Sequence, residues 1–239
     1  SCSGPKSEMD KFIDDLMSKM TVEEKIGQLN LPVAGDIVTG QAKSSNVSER
    51  IRAGEVGGLC NLKGAEQIKE VQRIAVEESR LGIPILFGMD VIHGYETIFP
   101  IPLGLSCSWD MEAVELSARV AAEEASADGI CWTFSPMVDV SRDPRWGRVS
   151  EGSGEDTYLG CRIAEAMVRG YQGPDKETQL TRDDQILACV KHFAVHSGPE
   201  ETRHGFDAEC DERDLRETYL PAFERSVKDA KVAGVMGAY

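Results

Sequence analysis

The chain has 239 residues, 41% of them hydrophobic, and its 41 acidic residues outnumber its 26 basic ones to give a net charge of −15. The apolar content predicts a packed globular core rather than disorder, and the negative charge argues against a nucleic-acid partner, whose phosphate backbone needs a basic face. No apolar stretch approaches the roughly 20 residues that span a bilayer, so no membrane span is predicted.

The N-terminal stretch SCSGPKSEMD has no positively charged segment followed by an apolar run, so no intact signal peptide is predicted in it. Residues 1–8 are expected to form a flexible leader. Cys2 allows a second interpretation, in which this cysteine remains from a lipid-anchor site after processing.

Two helices are predicted next. Apolar residues recur at helical spacing in MDKFIDDLMSKM, residues 9–20. In TVEEKIGQL, residues 21–29, Thr21 and Glu24 have the spacing of a capping box, which predicts that a second helix begins here.

The rest of the chain alternates between short apolar runs and amphipathic segments. The apolar runs predict buried strands at residues 55–62, 83–90, 129–140, 185–193 and 232–239. The amphipathic segments predict helices at residues 65–80, 110–128, 156–172 and 211–230. This βα alternation is typical of either an open doubly wound sheet or a closed (β/α)8 barrel.

The barrel is favoured because the turn GLCNLKGAEQ after the first strand lacks the G-x-G-x-x-G pattern of a dinucleotide-binding sheet. A (β/α)8 TIM-type barrel needs eight strands to close. The expected fold is therefore α/β, an incomplete barrel over residues 9–239 with about five of the eight strands in this chain.

Functional side chains of βα barrels project from the C-terminal ends of the strands. At or near these ends the sequence places Asp90, His93, Asp139, Arg142, Lys191, His192 and Tyr239. Carboxylate and cationic groups together can hold many hydroxyls through charge-assisted hydrogen bonds, so such a pocket suits a neutral, polyhydroxylated ligand. Structural interpretations stand beside this one, with Asp90 as a cap or turn residue and Arg148 as an ion-pair partner.

No metal or cofactor site is predicted. His192, His196 and His204 do not match a zinc spacing, and the seven cysteines include no CxxC pair. The acidic residues of SEGSGED are expected to cap the following helix, with Asp156 best placed to do so.

Four long segments occur in the order and spacing of one known domain. They are FGMDVIHGYETIFPIPLGLSCSWD, FSPMVDVSRDPRWGRVSEGSGEDTYLG, VKHFAVHSGPE, and ETYLPAFE with VMGAY. Together they resemble the N-terminal barrel domain of family-3 glycoside hydrolases, and the resemblance covers residues 9–239. It implies a retaining β-glycosidase, in which two carboxyl groups about 5 to 5.5 Å apart attack the anomeric carbon and protonate the leaving oxygen.

The resemblance also implies which residues contact the sugar at the cleavage point. Asp90, Arg148, Lys191 and His192 are implied to contact hydroxyls of the sugar. Tyr239 is implied to line the same subsite. Arg203 and His204 form a second tier of candidates. The family's nucleophile is an aspartate in a Ser-Asp-Trp-like stretch beyond VMGAY, and the acid/base glutamate typically comes from a second domain. Both catalytic carboxylates are therefore expected outside residues 1–239.

The segment KHFAVHSGPEETRHGFDA distinguishes the branches of the family. The N-acetylglucosaminidases follow Lys-His-Phe with Pro-Gly-His-Gly and, further on, Asp-Ser-His, whereas this chain has Ala194 and Val195 and then Thr202 and Arg203 before His204. The glucosidase and xylosidase branches remain. The segments MDVIHG and SRDPRWGRVSEGSGED favour an exo-acting β-glucosidase that removes terminal β-linked glucose, with a β-xylosidase as the alternative.

Two other classes of function remain open. A lysine at the end of a barrel strand can form an imine, so Lys191 also fits a Schiff-base lyase. A chain without catalytic carboxylates also fits a non-catalytic or incomplete carbohydrate-binding fragment.

The resemblance implies partners and a location as well. The expected partners are a β-linked oligosaccharide or glucoside, the remainder of the barrel, and a second α/β domain encoded by the same gene or a second chain. The expected location is periplasmic or secreted in bacteria, either without an anchor or lipid-anchored through Cys2.

Residues 1–239 alone are expected to be inactive, because both catalytic carboxylates are expected elsewhere. The measurement is an assay of the isolated chain on an aryl β-glucoside. Turnover that survives repurification would show that this expectation is wrong.

Overall fold

The computed structural model describes residues 7–34, 44–198 and 207–239. Cys2, Arg203 and His204 lie outside the described residues. The chain divides into two compact units, Ser1–Phe87 and Gly88–Tyr239.

The first unit begins with two capped helices. Helix α1 spans Glu8–Lys19 and α2 spans Val22–Gly27, both within two residues of the predicted bounds. The Thr21 hydroxyl accepts a hydrogen bond from the backbone of Glu24, and the Glu24 carboxylate accepts one from the backbone of Thr21. The predicted capping box is therefore present, and it satisfies two N–H groups at the start of α2.

Four more elements complete the first unit. They are α3 (Ser44–Arg52), β1 (Gly58–Cys60), α4 (Ala65–Arg73), which continues as a π-helical turn (Ile74–Glu78), and the start of β2 (Leu86–Met89). The N–H of Leu86 donates to the carbonyl of Gly57, so β2 begins beside β1. Helix α3 was not predicted, because it has only two large apolar residues, the buried Val47 and Ile51.

The second unit contains the end of β2 and the remaining elements. The helices are α5 (Pro102–Ser106), α6 (Met111–Ala127), α7 (Thr157–Gln172), α8 (Glu212–Asp214) and α9 (Pro221–Lys228). The strands are β3 (Trp132–Thr133), β4 (Cys189–Phe193) and β5 (Gly234–Gly237). Among the described residues, no helix has both the length and the apolar content to cross a membrane.

The strands of the second unit lie side by side in sequence order and are all parallel. Strand β2 pairs with β3, and β4 pairs with β5. The segment before β4 continues the order, because the N–H of Leu187 donates to the carbonyl of Cys131 and the N–H of Thr133 donates back to Leu187, each at 2.8 Å. Parallel neighbours joined by helices are the arrangement of a βα barrel.

One buried glutamine holds the starts of β4 and β5 together. Gln172, at the end of α7, has no exposed surface. Its Oε1 accepts from the backbone N–H groups of Ala188 at 3.1 Å and Ala233 at 2.9 Å. Its Nε2 donates to the carbonyl of Lys231 at 3.0 Å. The amide thus pairs backbone groups that have no ladder partner at this end of the two strands.

Each predicted strand and helix has a counterpart in the structure, but several are shorter than predicted. The apolar run 129–140 contains only the two residues of β3 as strand. Pro136 lies within that run, and proline has no N–H to donate to a sheet. The predicted helix 211–230 is interrupted, and α9 restarts at Pro221 because proline is tolerated in the first turn of a helix and not in its interior.

Replacing Gln172 with leucine should destabilise the fold. Gln172→Leu leaves the buried N–H of Ala188 and the partly buried N–H of Ala233 and carbonyl of Lys231 without this partner, so we expect a loss of about 3 kcal/mol in the free energy of unfolding. The measurement is urea unfolding, with Gln67→Leu on the exposed face of α4 as the matched control. Equal stability of the two variants would contradict the role of Gln172.

Candidate active site

The candidate site lies within the second unit, at the C-terminal ends of its strands. Asp90 directly follows β2, Lys191 and His192 lie in β4, and Tyr239 comes two residues after β5. Arg148 lies in the long loop between β3 and α7. Because parallel strands end at the same edge, these residues meet although they are far apart in sequence.

Lys191 forms an ion pair with Asp90. The Lys191 Nζ donates to Asp90 Oδ1 at 2.7 Å, and the lysine side chain is only 4% exposed. Asp90 is 53% exposed, so its carboxylate faces solvent as well as the lysine. The pair therefore joins a buried cation to an anion that a ligand can reach.

His192 forms hydrogen bonds on both sides of its ring. Its Nδ1 lies 2.8 Å from Asp139 Oδ2, and its backbone N–H donates to the same oxygen at 3.1 Å. Its Nε2 lies 3.3 Å from Nη1 of Arg148. Both the His192 and Asp139 side chains are 2% exposed, so this connection is shielded from water.

Glu151 holds Arg148 by two parallel hydrogen bonds. The Nε of Arg148 donates to one carboxylate oxygen at 2.6 Å and Nη2 to the other at 2.8 Å. The carboxylate raises the pKa of Arg148 above its ordinary value. Burial acts to raise the pKa of Glu151, but the hydrogen bonds and charge of Arg148, with the charge of Lys191, outweigh it and hold that pKa below its usual value. Both groups are therefore charged at neutral pH.

Aromatic rings form one side of the cluster. The ring of Tyr239 lies 5.8 Å from that of His192 and 5.3 Å from that of His196, measured between centroids. The buried indole of Trp146 meets His196 edge-on at 5.9 Å. Aromatic rings of this kind pack against one another, and they can also pack against the flat face of a sugar ring.

Lys191 and His192 are adjacent, yet both reach the cluster. In a regular strand, neighbouring side chains point to opposite faces. Here the register between β4 and β5 shifts between Val190 and Phe193. An irregularity of this type re-aims side chains, which accounts for two successive residues on one site.

An open cleft of about 320 Å³ adjoins the cluster. It is lined by Asp90, Ile92, His93, Gly94, Ile101, Pro102, Ser150 and Glu151. Its volume falls within the roughly 300–1,000 Å³ that is usual for small-molecule sites. Two of its lining residues, Asp90 and Glu151, also belong to the cluster of ion pairs.

The structure brings together the five predicted residues Asp90, Arg148, Lys191, His192 and Tyr239. It places Arg142 elsewhere, paired with Asp214 at 2.9 Å. Among the residues that the structure describes, no group of three or more His, Cys, Asp or Glu side chains is arranged to hold a metal ion.

Two acidic residues have roles that the sequence analysis did not assign. Asp139 was named only as a strand-end residue, and it contacts His192. Glu151 was expected to cap a helix, and it binds Arg148 three residues before it, a spacing that could have predicted the pair. Asp156 does cap α7, because its Oδ1 accepts from the N–H of Leu159 at 2.7 Å.

The pair of Glu151 and Arg148 should stabilise the protein in a pH-dependent way. Because the folded-state pKa of Glu151 is lowered, its contribution is present above the unfolded pKa and is lost as the pH falls through the folded pKa. Glu151→Gln should cost about 1 to 2 kcal/mol at pH 7 and progressively less in acid. Urea unfolding at several pH values measures this, with the exposed Glu155→Gln as control. A cost that does not change with pH would be inconsistent with the pair.

Comparison with known proteins identifies the family. The N-terminal domain of glycosyl hydrolase family 3 matches residues 21–239. A periplasmic beta-glucosidase of Salmonella typhimurium is 41% identical over 96% of this chain and 29% of its own length. A xylan 1,4-beta-xylosidase of Xylanibacter ruminicola is 38% identical over 82% of this chain and 25% of its own.

Solved structures agree with the sequence relatives. The beta-glucosidase from Listeria innocua in complex with glucose has a TM-score of 0.81 and 38% identity over 95% of this chain and 32% of that chain. The likeness gives the chain a TIM-barrel-like α/β fold. The chain spans about 30% of the length of the Salmonella and Listeria proteins. On this evidence the chain belongs to glycosyl hydrolase family 3 and comprises residues of its N-terminal domain.

Proposed function

We propose that this chain supplies the sugar-binding part of the −1 subsite of a retaining, exo-acting β-glucosidase. The observation that carries the proposal is the joining of Asp90, Lys191, His192 and Arg148 beside one open cleft. Arg148 and Lys191 offer only hydrogen-bond donors, and Asp90 offers only acceptors. A sugar hydroxyl is both donor and acceptor, so this mixed set matches a ring that carries several hydroxyls.

The fixed ion pairs favour selective binding of the transition state. Arg148 is held by Glu151 and Lys191 by Asp90, so neither cation has to be reorganised when a sugar arrives. Hydrogen bonds to the ring hydroxyls that strengthen as the sugar flattens toward an oxocarbenium ion lower the barrier rather than merely improve binding. The nucleophile and the acid/base would be two carboxyl groups from residues other than Asp90 and Glu151.

Several finer expectations belong to the same proposal. The intact protein would complete the barrel begun by these five strands and would add a second α/β domain, in the same or another chain. Its activity would be that of the relatives named beta-glucosidase, one of which is also named periplasmic. The likeness to that relative supports a periplasmic or secreted location, and the proposal leaves open whether Cys2 carries a lipid.

A β-xylosidase is the second candidate, because relatives of that name are 30 to 38% identical to this chain. The two activities differ in whether the subsite accepts the hydroxymethyl group of glucose. Pairing with Asp90 disfavours a Schiff-base lyase, since the Lys191 ammonium has no lone pair with which to attack a carbonyl.

Removal of the Asp90 carboxylate charge should impair catalysis by the intact protein. Asp90→Asn replaces an acceptor with a group that also donates and leaves the buried Lys191 ammonium without its anion. We expect kcat/KM for an aryl β-glucoside to fall about 10- to 100-fold, as for loss of one hydrogen bond to a charged group.

The matched control is Asp143→Asn, because Asp143 lies in the same unit and pairs with Arg145 at the surface. Unchanged kcat/KM in Asp90→Asn would refute the assigned role. The ratio of kcat/KM for aryl β-glucoside and aryl β-xyloside in the wild type decides between the two activities, and the proposal requires the glucoside to be preferred.

A further inference from the structure

A single carboxylate oxygen holds His192 at two points. Oδ2 of Asp139 lies 2.8 Å from Nδ1 of the His192 ring and 3.1 Å from its backbone nitrogen. An ionised carboxylate can only accept hydrogen bonds, so both nitrogens donate to it. Rotation of the ring would leave a buried carboxylate with one partner fewer, which is costly at 2% exposure.

The other ring nitrogen points to the same protonation state. Nε2 of His192 lies 3.3 Å from Nη1 of Arg148. A guanidinium has donors and no acceptor, so a proton on Nε2 would meet an N–H of a cation. Arg148 cannot easily turn away, because Glu151 binds it through two hydrogen bonds. Partners on both sides of the ring therefore select the same tautomer.

We propose that Asp139 is a positioning residue that fixes His192 as the neutral imidazole with its proton on Nδ1. Nε2 then presents a lone pair on the side of Arg148. Asp139 is itself 5% exposed and its Oδ2 contacts His192 twice, so it acts through His192 and not by touching a ligand.

This assignment gives His192 a chemical role that differs from those of its neighbours. In the proposed function, on which this step rests, Lys191 and Arg148 donate to sugar oxygens. The single lone pair of Nε2 accepts from Nη1 of Arg148, so His192 and Glu151 together fix the direction in which the guanidinium donates to the sugar. With the proton on Nε2, two N–H groups would face each other, and Arg148 would lose the hydrogen bond to His192.

The state of the ring can be measured without any sugar, so the first test is independent of the proposed function. The intact protein is labelled with nitrogen-15 in its histidine rings, and the His192 signals are those that disappear in His192→Gln. We expect the proton on Nδ1 at neutral pH. In Asp139→Asn the side-chain amide can donate as well as accept, so we expect part of the population to carry the proton on Nε2.

A wild-type protein with its proton on Nε2 would overturn the assignment, whether or not it hydrolyses glycosides. A wild-type protein with the proton on Nδ1 but without glycosidase activity would support the assignment and refute the proposed function. These wild-type measurements show which ring nitrogen of His192 carries the proton even if Asp139→Asn does not fold.

The second test measures the effect on catalysis. Asp139→Asn preserves the size of the side chain, and we expect kcat/KM for an aryl β-glucoside to fall about 100-fold, as is typical when the partner that orients a functional histidine is altered. Most of the loss should be in kcat, because the affected bond strengthens in the transition state. The thermal midpoint should stay close to that of the control Asp143→Asn.

A purely structural role for Asp139 would give the opposite pattern. The thermal midpoint would then fall, while the folded fraction kept a kcat within about twofold of the wild type. A changed tautomer with an unchanged kcat would likewise refute the positioning role.

Discussion

The site depends on a lysine side chain that is almost completely buried. Lys191 is 4% exposed, and a buried charge is tolerated in a protein only when it has a partner of opposite sign. The partner, Asp90, follows β2, whereas Lys191 lies in β4, and the β3 segment runs between them. The ion pair therefore joins residues from two strands that are not neighbours in the sheet.

Two further acidic residues repeat this pattern. Asp139 compensates the donors of His192, and Glu151 compensates Arg148. The chain carries a large excess of negative charge, yet the cluster beside its cleft brings together Lys191, His192 and Arg148, each paired with an acidic group. Each donor side chain is held in a fixed direction by its acidic partner, and Asp139 does this without being exposed to a ligand. Gln172 contributes from the opposite end of β4, where it keeps β4 and β5 in register.

The sequence predicted the parts of this structure that follow from local pattern. Apolar runs located each of the five strands found among the described residues, and the spacing of Thr21 and Glu24 located the start of α2. The rule that functional residues of a barrel converge at strand ends is enough to group Asp90 with Lys191 from the sequence. Each of these inferences needs only a short stretch of sequence or a general property of the fold.

What could not be predicted depends on contacts between distant residues or on local backbone geometry. The strand at 129–140 was overestimated because Pro136 limits its ladder hydrogen bonds. Asp139 and Glu151 were not recognised because an acid near a helix or strand end is more often a cap, and only the folded loop shows that one faces an imidazole and the other a guanidinium. The helix α5 is a single short turn that begins at Pro102, too short for a periodic pattern to appear.

The interrupted register of β4 has a consequence for protein engineering. Because the pleat is broken between Val190 and Phe193, the directions of two successive side chains are a property of the backbone and not of the residues alone. If lysine and histidine were placed at successive positions of a regular strand in another scaffold, their side chains would point to opposite faces of the sheet, and only one would reach the binding site. A designer who wishes to transplant this binding site must graft the distorted strand segment together with its flanking partner strand, and only then choose the side chains.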